Sequence, residues 1–133
     1  MPETSVDLSG QWDGEFSYPA GEGPVTPFVA TLVQRGNSVT GNISEPDLHL
    51  PGATAEATFV GVVTGEAVDF TKTYRKVVWG YVHPVDYVGQ IREKGNVIAG
   101  VWSLLDMNGR FEMRRHATRE LAEEREAEIE IER

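Results

Sequence analysis

The chain has 133 residues, 40% of them hydrophobic, no cysteine, and a formal charge of −9 from 12 basic and 21 acidic side chains. That length and apolar content suit one globular domain with a core of its own. The acidic balance disfavours nucleic acid and anionic membrane as partners, the missing thiols exclude disulfides and thiolate chemistry, and no apolar run approaches the roughly 20 residues of a membrane span.

Residues 1–8 read as an N-terminal arm. Their sequence, MPETSVDL, has neither a basic n-region nor an apolar h-region, so a cytoplasmic protein is expected. From residue 9 to 116, period-two alternation punctuated by Gly, Asn and Pro marks an antiparallel all-β domain. Eight strands are expected in chain order, at 9–18, 26–34, 38–45, 54–64, 67–74, 85–92, 97–105 and 110–116. Residues 117–133, ATRELAEEREAEIEIER, hold three arginines and seven glutamates and read as an acidic, helix-favouring tail. The tail is either a solvated helix or one that packs across a barrel end or a partner.

The turns set a register, because residues opposite each other on antiparallel strands share a face. A Gly36-Asn37 turn pairs Leu32 with Gly41, Ala30 with Ile43 and Phe28 with Glu45. A Gly65-Glu66 turn, with glycine first as a type II′ turn prefers, pairs Val63 with Val68, Gly61 with Phe70, Phe59 with Lys72 and Ala57 with Tyr74. In REKGNVI the turn is Lys94-Gly95 or Gly95-Asn96, and both put Tyr87, Gly89 and Ile91 on the face of Ile98, Gly100 and Trp102. An Asn108-Gly109 turn would pair Leu104 with Met113 and Trp102 with Arg115.

Eight sequential strands with glycines recurring on the inner face predict an up-and-down (meander) β-barrel, with a two-sheet sandwich as the alternative. Tight connections fall at the end that holds the N-terminus. The long segments PAGEGPVT, PDLHLPGA and RKVVWGYVHPV fall at the other, so the barrel should be a cup with one closed and one open end.

The opening strand, SGQWDGEFSY, resembles the Gly-x-Trp-x-Gly strand of the calycin barrels: lipocalins, fatty-acid-binding proteins and avidins. The resemblance implies that Trp12 lies inward near the closed end and is covered by a basic residue after the last strand, here Arg115. It also implies a small-molecule cup. The asparagine that avidins place two residues after this tryptophan is Gly14 here, which removes the contact to a biotin ureido group. Nitrobindin-like haem barrels share a Trp-containing glycine strand followed by Tyr-Pro, here Tyr18-Pro19, and use a C-terminal histidine. His116 is out of phase with Phe111, Met113 and Arg115 and should point outward.

Toward the open end the inward positions are Tyr18, Phe28, Glu45, Ala57, Lys72, Tyr74, Tyr87, Trp102 and Asp106. Toward the closed end they are Trp12, Leu32, Val39, Val63, Val68, Ile98 and Met113. An apolar floor under a mouth of aromatic and titratable groups is the usual form of a small-molecule site. Lys72 is the anomaly, a lysine on the apolar face of VDFTKTY. It either receives a ligand's polar or acidic head, with Phe59 offering a cation–π contact, or it snorkels to the rim or pairs with Glu45 or Asp106. His49, His83 and His116 show no metal-ligand spacing, and no cofactor is implied. Trp79 in an apolar loop reads equally as a lid, a subunit contact or packing.

No nucleophile–base pattern or phosphate loop is present. The reading is a non-enzymatic binder of a small, hydrophobic or amphipathic molecule through Lys72, Tyr74, Tyr87, Trp102, Tyr18, Phe28, Glu45, Phe59 and Asp106. The alternatives are an isomerase or cyclase using mouth carboxylates and tyrosines, or a barrel serving subunit contacts, with a homo-oligomer open in either case.

Overall fold

The computed structural model describes residues 7–19, 23, 25–47, 50, 52–75 and 83–116. Eight strands follow one another: β1 (Gly10–Ser17), β2 (Thr26–Arg35), β3 (Ser38–Pro46), β4 (Thr54–Thr64), β5 (Ala67–Tyr74), β6 (Val85–Arg92), β7 (Val97–Leu104) and β8 (Met107–Arg115). Each pairs antiparallel with its sequence neighbour, and β1 pairs with β8 from Trp12–Arg115 to Ser17–Arg110, which closes the barrel. Closure leaves no edge strand, so every strand finds a ladder on both sides. The expected helix over 117–133, and the loop residues Trp79 and His49, lie outside the described residues.

Alternation drives this architecture. Along β2 and β6 buried and exposed residues alternate almost without a break, as a wall with a dry inside and a wet outside requires. The Gly36-Asn37 and Gly65-Glu66 turns form as the sequence suggests, with Leu32 opposite Gly41, Ala30 opposite Ile43, and Phe59 opposite Lys72. Gly36 and Gly65 take φ of 60° and 61°, the left-handed region that a two-residue hairpin needs at its first central position.

Two turns differ from expectation. The β6–β7 connection is a four-residue loop in which Glu93, Lys94 and Gly95 all have positive φ, at 52°, 59° and 90°. Ile91 still faces Ile98, Gly89 faces Gly100 and Tyr87 faces Trp102, so the inner face is as expected. The β7–β8 turn is Leu105-Asp106, not Asn108-Gly109, and pairs Leu104 with Met107, Trp102 with Gly109 and Ile98 with Met113. Asn-Gly is a strong turn signal, but Gly109 serves another purpose: a Cβ there would overlap Ser17 O and the Trp102 indole. The register moves by an even number of residues, so Phe111 and Met113 remain inside. Asp106 moves out of the inner set; it lies in the turn, exposed to solvent.

The closed end is sealed by the chain's entry. Leu8, at the end of the expected arm, is fully buried, and its carbonyl accepts the Trp12 indole N–H at 2.9 Å. The Arg115 guanidinium lies 4.6 Å from the Trp12 ring centre. It donates to the carbonyls of Ser9 (2.9 Å), Asp7 (2.8 Å) and Gly95 (2.8 Å). One side chain thereby ties the entering strand, the β6–β7 loop and the end of β8 together.

Candidate functional site

Toward the end opposite the Trp12–Arg115 seal the core changes character. Lys72 on β5 is 2% exposed, and its ammonium donates to Glu45 Oε1 on β3 at 3.0 Å. Tyr74 donates its hydroxyl to the other oxygen, Oε2, at 2.6 Å. The strand between them, β4, presents Ala55 and Ala57 inward at this level, with Ala55 opposite Glu45 and Ala57 opposite Tyr74. Those short side chains leave room for the β3 carboxylate and the β5 ammonium to meet over β4.

Aromatic rings enclose the ammonium. Lys72 Nζ lies 4.7 Å from the Tyr74 ring centre, 4.8 Å from Phe16 and 5.3 Å from Tyr87, distances at which each ring face attracts a cation. Phe59 is the register partner of Lys72, but its ring is stacked on Phe70 at 4.7 Å and meets Tyr87 edge-on at 5.2 Å. The expected Phe59–ammonium contact is therefore replaced by three others. Lys72 does not snorkel, and its carboxylate partner is Glu45.

The remaining aromatics form the level above. Tyr18 meets Trp102 at 5.4 Å and Phe16 at 6.0 Å, both edge-on, and Phe28 lies 6.3 Å from Phe16. Trp102 is pinned by its indole N–H, which donates to Ser17 O at 2.9 Å. The structure thus brings Lys72, Glu45, Tyr74, Tyr87, Tyr18, Trp102, Phe28 and Phe59 into one connected cluster and leaves Asp106 outside it.

Burial governs the electrostatics. Desolvation lowers the Lys72 pKa from 10.5, opposed by the charge and hydrogen bond of Glu45. Tyr87 is pushed well above 10.0, first by burial and then by the negative charge of Glu45. Tyr18 is raised for the same two reasons.

Two features were not singled out from sequence, and one expected strand pair is absent. Phe16, a wall of the ammonium cage, lies in phase with Trp12 and Tyr18, a signal that was legible. Thr26 is 2% exposed, faces inward in phase with Phe28 and Ala30, and its hydroxyl has no hydrogen-bond partner among the described residues. The β2–β3 ladder ends at Val29–Ser44, so the expected Phe28–Glu45 pair does not form. An open groove of about 780 Å³ lies there along the outer wall, bordered by the outward Asp13, Glu15, Val29, Glu112 and Arg114 as well as by Phe28 and Glu45.

On the outer wall near the closed end, His116 Nδ1 lies 2.6 Å from Asp13 Oδ2. His83 is exposed. No group of three or more potential metal ligands occurs among the described residues.

No family model matches the sequence, and no curated protein does. Among solved structures, the barrel is similar to one described as the de novo design of a fluorescence-activating beta barrel. The TM-score is 0.63, over 86% of this chain and 99% of that one, at 13% identity. At that identity the likeness is one of fold: a closed eight-stranded antiparallel barrel.

Proposed function

We infer that the protein binds a small, partly hydrophobic molecule at the open end of the barrel. Its polar head would engage Lys72, Glu45 and Tyr74, and its apolar body would lie against Phe28, Trp102 and Tyr18. The observation that carries this reading is a fully buried ion pair in a cage of three aromatic rings, in the half of the barrel away from its sealed end. Such a pair adds little net stability over apolar residues of the same volume, because desolvation offsets the attraction. Its presence in the core is better accounted for by recognition than by folding. The unpartnered Thr26 hydroxyl supports the same reading.

Native mass spectrometry of protein isolated gently from its host tests it. A bound small molecule that is lost on unfolding and absent after refolding is the expected result. An apo mass, together with no response from an apolar fluorescent probe, would sink the proposal.

A further inference from the structure

The chemistry of the head group is restricted by the charges already present. Lys72 carries three N–H donors and Glu45 accepts one of them at 3.0 Å, while the ammonium's other surroundings include the faces of Phe16, Tyr74 and Tyr87. A ligand carboxylate would place a second anion beside one ammonium in a dry enclosure, leaving a buried negative charge without a partner. A neutral acceptor adds no charge and fits a free N–H. A carbonyl is such an acceptor, and it brings an electrophilic carbon next to the amine.

We propose, resting on the binding site described above, that the barrel takes an aldehyde with an apolar body and holds it as an imine on Lys72. The ammonium first gives a proton to Glu45, its 3.0 Å partner. The freed nitrogen lone pair adds to the carbonyl carbon, forming the C–N bond while the π pair moves to oxygen. Proton transfers through Glu45 carry one nitrogen proton to that oxygen and a second to the resulting hydroxyl. The C–O bond then breaks and water leaves. One ammonium and one aldehyde become one iminium and one water.

The iminium keeps the single positive charge that the ammonium had. Glu45 ends as the same carboxylate, and the aromatic cage still faces a cation. Desolvation, which lowers the Lys72 pKa, raises the share of free amine, the condition a nucleophilic lysine needs. The apolar body would lie against Phe28, Trp102 and Tyr18, the rings that adjoin the cage through Phe16. Glu45 and Tyr74, 2.6 Å apart, supply an acid–base pair beside the reacting nitrogen.

Lys72, Lys76 and Lys94 are the chain's three lysines, so the test has internal controls. Native protein is treated with nonanal and cyanoborohydride, which reduces an imine to a stable amine, and the adduct is mapped by peptide mass spectrometry. Labelling of Lys72 about tenfold above exposed Lys94 is expected in the folded protein, with the preference lost in denaturant. Lys72→Arg should abolish the selective adduct, and Glu45→Gln should slow it. Adducts confined to Lys76, Lys94 and the N-terminal amine, or Lys72 labelling no faster than in the unfolded chain, would overturn the imine. Nonan-1-ol, which cannot form an imine, separates the two claims. If the alcohol quenches Trp102 fluorescence while Lys72 stays unlabelled, imine chemistry fails and the binding site stands; if neither occurs, both fail.

Discussion

Lys72 Nζ and Glu45 Oε1 lie 3.0 Å apart, and each side chain exposes only 2% of its surface. Removing one member of such a pair strands the other charge in the core. Glu45→Gln should therefore cost about 3–5 kcal/mol in urea unfolding. The double change Glu45→Gln with Lys72→Met removes both charges and should be more stable than Glu45→Gln alone. A double variant no more stable than the single one would mean that the pair itself, and not the orphaned charge, holds the barrel.

Alkaline pH sets Lys72 and Tyr87 against each other. The Lys72 pKa is lowered on folding, so its charged form opposes folding at neutral pH, and this penalty is relieved as pH rises from the folded pKa toward 10.5. The Tyr87 pKa is raised well above 10.0, so its contribution is complete below pH 10.0 and is lost as pH climbs beyond that value. The urea midpoint should hold or rise on approaching pH 10.0 and fall above it. Tyrosinate absorbance from Tyr87 should appear together with unfolding, whereas a smooth titration in the folded state would contradict its burial.

Arg115 fastens the closed end through three carbonyls and the Trp12 ring. Arg115→Ala should lower stability by about 2–4 kcal/mol, measured by thermal melting. Arg115→Lys should recover only part of that, because one ammonium lacks the planar fork that reaches three acceptors. Full recovery by lysine would show that charge alone suffices.

The β7–β8 turn predicts two substitutions of opposite sign. Leu105 is 76% exposed and sits at φ +57°, a conformation costly for leucine and free for glycine. Leu105→Gly should stabilise the protein by about 1 kcal/mol. Gly109→Ala, whose Cβ would overlap Ser17 O and the Trp102 indole, should destabilise by about 2–4 kcal/mol. Melting temperatures moving in the same direction would contradict this assignment of the turn.

This turn also shows where sequence reasoning stops. Strand order, the inner face and two of the hairpin registers were legible, because Gly36 and Gly65 occupy positions where the backbone demands glycine and alternation fixes the face. Asn108-Gly109 carried the same signal for a different reason, clearance beneath Trp102, and spacing cannot distinguish the two. The candidate site was legible as a set of inward residues near one end. Its pairing was legible only as a choice between Glu45 and Asp106: Glu45 and Lys72 stand on strands separated by β4, and their meeting depends on how the wall curves over Ala55 and Ala57. Ladder register reports neighbours along the sheet and is silent about contacts across the interior. For the same reason the ammonium's rings were misassigned to Phe59, while Phe16 from the far strand β1 went unnoticed.

The claim that the open end receives a small apolar molecule with a polar head is tested most directly by an NMR titration with nonan-2-one. The Lys72 side chain, Tyr87 and the Trp102 indole N–H should shift together and saturate, while the Trp12 indole at the sealed end and the outward Val60 and Val62 stay in place. Shifts confined to the outer valines, or none up to the solubility of the ketone, would contradict it.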